Sequence, residues 1–94
     1  MTNRISLPAR FDGASVTVFT EALAERRAQP LIIDAAAVEA TGTLGIQALV
    51  AGRRQWLADG VTFEVVPISN ALQDACRRLG IDPAEFGGRS EVSQ

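Results

Sequence analysis

The seventeen residues from Leu31 to Gln47, LIIDAAAVEATGTLGIQ, change hydrophobic period partway along and so force a strand-to-helix junction near the centre of the chain. Leu31, Ile32 and Ile33 form an apolar, largely β-branched run that ends at Asp34, the pattern of a central strand buried on both faces. Gly42 and Gly45 bracket Thr43 where helical spacing begins. Glycine there lets the backbone turn tightly and leaves the first free amides of the next helix pointing toward Thr43.

The flanking segments supply the rest of an α/β domain. Ile5 and Leu7 alternate with Arg4 and Ser6 in a short edge strand that Pro8 cuts off. Asp12-Gly13 marks a turn, and Ser15 reads as the N-cap of a helix running to about Gln29, with Val16, Phe19, Ala22 and Leu23 as its buried stripe and Glu21 and Glu25 on its wet face. Pro30 admits the central strand, and the loop Ala35–Gly42 carries Val38 as its one large apolar anchor. A second helix is expected over Thr43 to about Ala58, turning Ile46, Leu49, Val50 and Leu57 to the sheet, with Trp56 on the flank and Gly60 as the stop. Val61, Phe63 and Val65 read as a strand that Pro67 closes. Ser69 caps a third helix with Leu72, Ala75, Cys76 and Leu79 on one stripe and Gly80 at its end. Ile81 and Phe86 then return to the core. Residues 1–86 make one domain, and Gly87–Gln94, GGRSEVSQ, reads as a flexible tail.

Bulk properties exclude several function classes. Ninety-four residues allow a single modest core that buries roughly 60–65% of the unfolded surface. The nine basic residues, all Arg, against eleven acidic ones give a net charge of -2, which argues against nucleic acid as a partner. No apolar run is long enough to insert into a bilayer, and MTNRISLPAR lacks a signal core, so the expected address is the cytoplasm. With no histidine and one cysteine, an internal disulfide is excluded and a metal site or His-based triad lacks its ingredients. No phosphate-cradling glycine motif occurs, so the chain reads as a non-enzyme that needs no cofactor.

The central stretch resembles the core of the STAS domain family, which includes the bacterial anti-sigma factor antagonists. Leu31–Asp34 matches the family's strand, Val38 its loop anchor, and Gly42-Thr43-Leu44-Gly45-Ile46 its Asp-Ser/Thr-x-Gly-Leu signature, with Gly42 in the Asp position. Phe11-Asp12 resembles the pair that closes the family's first loop, and Ser69-x-Ala71-Leu72 with Leu79-Gly80-Ile81 resembles its last helix. The resemblance, over about Ile5–Ile81, implies a STAS-like α/β fold: a small mixed sheet with helices packed against it, abbreviated at the N-terminal strand. It also implies a partner-binding surface at the loop before the second helix. The partner would be a switch kinase or anti-sigma factor, released when Thr43 is phosphorylated. Two other roles follow from related branches: an adaptor in chemotaxis signalling, which Arg54-x-Trp56-x-Ala58-x-Gly60 resembles, or a soluble subunit on the ATPase of a lipid transporter.

Each site residue keeps a structural reading beside its functional one. Thr43 is either a helix cap worth about 1 kcal/mol or the phosphoacceptor. Asp12 is either a turn-former or, as the resemblance implies, a partner contact. Glu39, Gly42, Leu44, Gly45 and Gln47 complete the expected partner surface, and Trp56 is either an interface anchor or a covered core edge. Arg26-Arg27, Arg53-Arg54 and Arg77-Arg78 complement helix dipoles, or would form an anionic-partner site if brought together.

Overall fold

A computed structural model describes residues 3–89. Three parallel strands, β1 (Asn3–Ser6), β3 (Leu31–Ala35) and β5 (Phe63–Ile68), form a sheet in the order β1-β3-β5, and two short strands, β2 (Arg10–Phe11) and β4 (Ala40–Thr41), form a separate parallel pair. The helices are α1 (Gly13–Glu25), α2 (Thr43–Ala58) and α3 (Asn70–Leu79), followed by a 3-10 turn over Pro83–Phe86. The fold class is α/β as expected, but every strand pair is parallel, so the sheet is not mixed.

The register explains which face is dry. Ile5, Ile33 and Val65 share one row of the sheet, and Leu31 and Phe63 share the next. Leu31, Ile33 and Val65 on this face are fully buried, and Phe19 and Leu23 of α1 join them in the core with Ile46, Leu49 and Trp56 of α2. The opposite row, Arg4, Ile32 and Glu64, is half-buried or exposed. Arg4 pairs with Asp34 at 3.0 Å there and Arg89 with Glu64 at 2.8 Å. β3 therefore buries one face, not two: the charged rungs of its neighbours keep Ile32 at a wet surface.

Several boundaries differ from those expected. Asp12, not Ser15, is the N-cap of α1; Ser15 lies one turn in, where its Oγ accepts from the Asp12 N–H at 2.9 Å. The helix ends at Glu25 because the chain turns through Ala28, whose φ of 65° lies in the left-handed region. Arg27 then grips Asp59, at the end of α2, with two bonds of 2.9 and 3.2 Å. Pro67 does not close β5: the strand continues to Ile68, and the ladder to β3 shifts register between Ile33 and Ala35 to accommodate it. The tail expected from Gly87 starts as sheet. Val65 N–H donates to the Gly87 carbonyl, Arg89 N–H to that of Val65, and Ile68 N–H to that of Arg89. Residues 90–94 lie outside the described range.

Two stability measurements follow. Ala28→Gly removes the left-handed strain and is expected to raise the unfolding free energy by roughly 0.5–1 kcal/mol in urea titration. The Asp34 carboxylate is held below the usual carboxylate range by the Ala36 amide and then by Arg4, and Asp59 is held low by Arg27. Both folded-state values are depressed, so their stabilisation is complete above the unfolded value of about 3.9 and is lost as the pH falls further, through the folded values. Asp34→Asn should accordingly lower the urea midpoint near neutral pH and have no such effect in strong acid.

Candidate functional site

β2 and β4 are only two residues each, yet they set the geometry of the site. Arg10 pairs with Ala40 and Phe11 with Thr41, and the next residues, Asp12 and Gly42, are the N-caps of α1 and α2. Both helices thus leave the same parallel rung side by side, which brings Asp12 to the Thr43 junction. The Ala9 carbonyl accepts from the amides of Glu39 (2.7 Å) and Ala40 (3.0 Å), and Thr41 Oγ1 donates to the Phe11 carbonyl at 2.9 Å. Phe11 is fully buried and meets the Phe19 ring edge-on at 5.3 Å.

The two glycines of the signature have different roles. A Cβ on Gly45 would lie 2.8 Å from the Phe11 carbonyl oxygen and 2.9 Å from its ring, and closer still to Thr41 Oγ1. Only glycine lets α2 approach the β2/β4 rung this closely. Gly42 has an extended backbone (φ -133°), and a Cβ there would meet nothing within 4 Å. The turn does not require it, contrary to the reading of both glycines as turn-formers. Nor does Thr43 cap the helix: it is the first residue of α2, Gly42 is the cap position, and no side chain bonds the α2 amides there. Among the described residues the Thr43 hydroxyl has no hydrogen-bond partner, and its side chain is exposed.

The expected partner residues divide into two groups. Asp12, Glu39, Gly42, Thr43, Leu44 and Gln47 are exposed, Leu44 to 66%. Along α2, Leu44, Gln47, Ala51, Arg54 and Ala58 continue as one exposed stripe at helical spacing. Gly45 and Trp56 are buried and belong to the core. Trp56 is 1% exposed, its Nε1 donates to the Gln29 carbonyl at 2.6 Å, and it packs 5.7 Å from the Phe63 ring. Leu57, expected in the core, is 61% exposed instead. The buried stripe Ile46-Leu49-Gly52-Trp56 places Trp56 inward and rotates Leu57 out, because Gly52 lets Leu23 and Phe63 come close.

Residues of α3 join this site although the sequence reading did not place them there. A pocket of about 220 Å³ is lined by Thr41, Gly42, Thr43, Ala75, Arg78 and Leu79. No local pattern marks Arg78, since Arg77-Arg78 read as an ordinary helix-end pair. Most of the paired arginines instead serve separate structural contacts: Arg26 to the Ala22 carbonyl, Arg27 to Asp59, Arg53 to the Phe63 carbonyl and Arg77 to Asp74. Cys76 is buried, and burial pushes its thiol pKa up, which suits a packing residue better than a nucleophile. Among the described residues no group of three or more His, Cys, Asp or Glu could hold a metal ion.

The family described as "Mlab, STAS domain" matches residues 2–85, so the chain belongs to the STAS domain family. The solved structure of an anti-sigma-factor antagonist (STAS) domain protein from Planctomyces limnophilus superposes with a TM-score of 0.68 at 23% identity, covering 97% of this chain and 83% of that one. No curated protein matches the sequence significantly. STAS domains typically work through protein partners, and no described helix here is long and apolar enough to cross a membrane.

The glycine pair gives a direct test of the junction. Gly45→Ala is expected to destabilise the fold by roughly 1–3 kcal/mol through overpacking. Gly42→Asp, which restores a capping carboxylate in open space, is expected to stabilise it by about 0.3–1 kcal/mol. Urea unfolding of both variants checks the contrast.

Proposed function

We propose that this chain is a non-enzymatic regulatory STAS domain, resembling an anti-sigma factor antagonist, that docks a partner protein through the Gly42–Gln47 junction and the exposed stripe of α2. The observation that carries this reading is the contrast within five residues. Gly45 and Ile46 are buried in the fold, while Thr43, Leu44 and Gln47 have no work to do in it. A leucine 66% exposed beside an unbonded hydroxyl at a rigid helix start fits a recognition surface. In the switched form of this function, the partner is a switch kinase or anti-sigma factor, and phosphate on the exposed Thr43 adds charge to the docking surface without disturbing the core.

A second reading, constitutive docking, is favoured by Gly42. It leaves no carboxylate at the cap to orient the Thr43 hydroxyl, as the family's Asp would. The partner would then be a chemotaxis signalling protein or the ATPase of a lipid transporter, and Thr43 a contact residue only.

Affinity isolation from native cells with quantitative mass spectrometry tests the docking surface. Leu44→Asp should retain at least tenfold less of the partner with an unchanged melting temperature, and Thr43→Val should retain the wild-type amount. A species heavier by one phosphate, lost in Thr43→Ala, together with loss of the partner in Thr43→Glu, would select the switched form. Full retention by Leu44→Asp would contradict the proposal.

A further inference from the structure

We infer that the pocket between β4, the start of α2 and the C-terminal half of α3 receives an acidic side chain of the docked protein, with Arg78 as the residue that pairs with it. This rests on the docking surface proposed above and identifies the chemistry that surface accepts.

Arg78 is the one charged residue lining the pocket. Its neighbour Arg77 is held by Asp74 at 2.8 Å, whereas Arg78 has no ion pair among the described residues. Two arginines that look alike in sequence therefore differ: one is satisfied by the fold and the other is spare. Apolar surface adjoins the spare charge. Leu79 lines the pocket and is 42% exposed, and Leu44 follows Thr43 directly.

A protein that covers Leu44 and Leu79 also removes water from Arg78. An unpaired guanidinium so buried would oppose binding, whereas a carboxylate beside it gains from the lowered dielectric. An apolar or basic counterpart is disfavoured by the same reasoning. The chain's net charge of -2 means that its long-range field does not draw an acidic partner, so the preference for one is made at short range, in this pocket. A phosphate on Thr43 would enter the same pocket and compete for Arg78, which gives the switched form of the function a physical route to release.

The probe is the protein that the full chain retains from native cells and that Leu44→Asp loses, expressed and titrated calorimetrically against full-length Arg78 variants. Arg78→Gln should weaken binding about tenfold or more, with Arg78→Lys recovering part of the loss. Added salt should weaken the wild-type complex and have less effect on that of Arg78→Gln. The melting temperature of Arg78→Gln should stay close to the wild type, since among the described residues Arg78 makes no ion pair and adds only a helix-end charge in the last turn of α3. Equal affinity of Arg78→Gln and wild type would overturn the acidic-partner inference and leave the docking surface standing. Retention of nothing but further copies of this chain would also overturn it, by assigning the pocket to self-association. Full retention of the partner by Leu44→Asp would remove both proposals.

Discussion

The contact between Gly45 and the Phe11–Thr41 rung is the constraint on which the site depends. It fixes how far the first turn of α2 descends onto the β2/β4 pair, and a single methyl group at Gly45 would meet a backbone oxygen at 2.8 Å. With that distance set, Ile46 and Leu49 reach the apolar face of the sheet. Thr43 and Leu44 are correspondingly left above the rung. Core packing and surface presentation are therefore two results of one close approach.

The same economy shapes the charges. Arg27, Arg77 and Arg89 are consumed by Asp59, Asp74 and Glu64, and Arg4 by Asp34. These pairs are exposed enough that each contributes little stability; their effect is to remove four of the nine arginines from competition for a partner. Arg78 is left beside the Thr41–Thr43 segment. On the proposed reading, recognition falls to a small set of side chains that the fold does not use.

Much of the architecture was legible because periodicity and caps speak directly to local structure. The strand at Leu31, the bounds of α2, the Ser69 cap with its bond from the Leu72 amide, and the left-handed Gly80 all appear where the residues indicate. What was not legible depends on contacts distant in the chain. Trp56 and Leu57 are adjacent and both apolar, and only the close packing at Gly52 decides which is buried. The strand through Pro67 and the sheet bonds of Gly87–Arg89 require β5 to have neighbours on both sides. At the site, the Thr43–Gln47 segment was named through the family resemblance, whereas the β2/β4 pair, two residues per strand, is too short to leave a pattern. Arg78 could not be placed for the same reason: a residue contributed by a third helix carries no mark of the loop it faces.

Amide hydrogen exchange on the complex isolated from native cells, set against the free chain, tests the central claim most directly. The account predicts added protection concentrated on the segments holding Thr43–Gln47 and Arg78-Leu79, with the opposite edge of the sheet at β1 unchanged. Protection at Ile5–Pro8 and Val18, with Thr43–Gln47 exchanging as in the free chain, would contradict it and move recognition to the other side of the molecule.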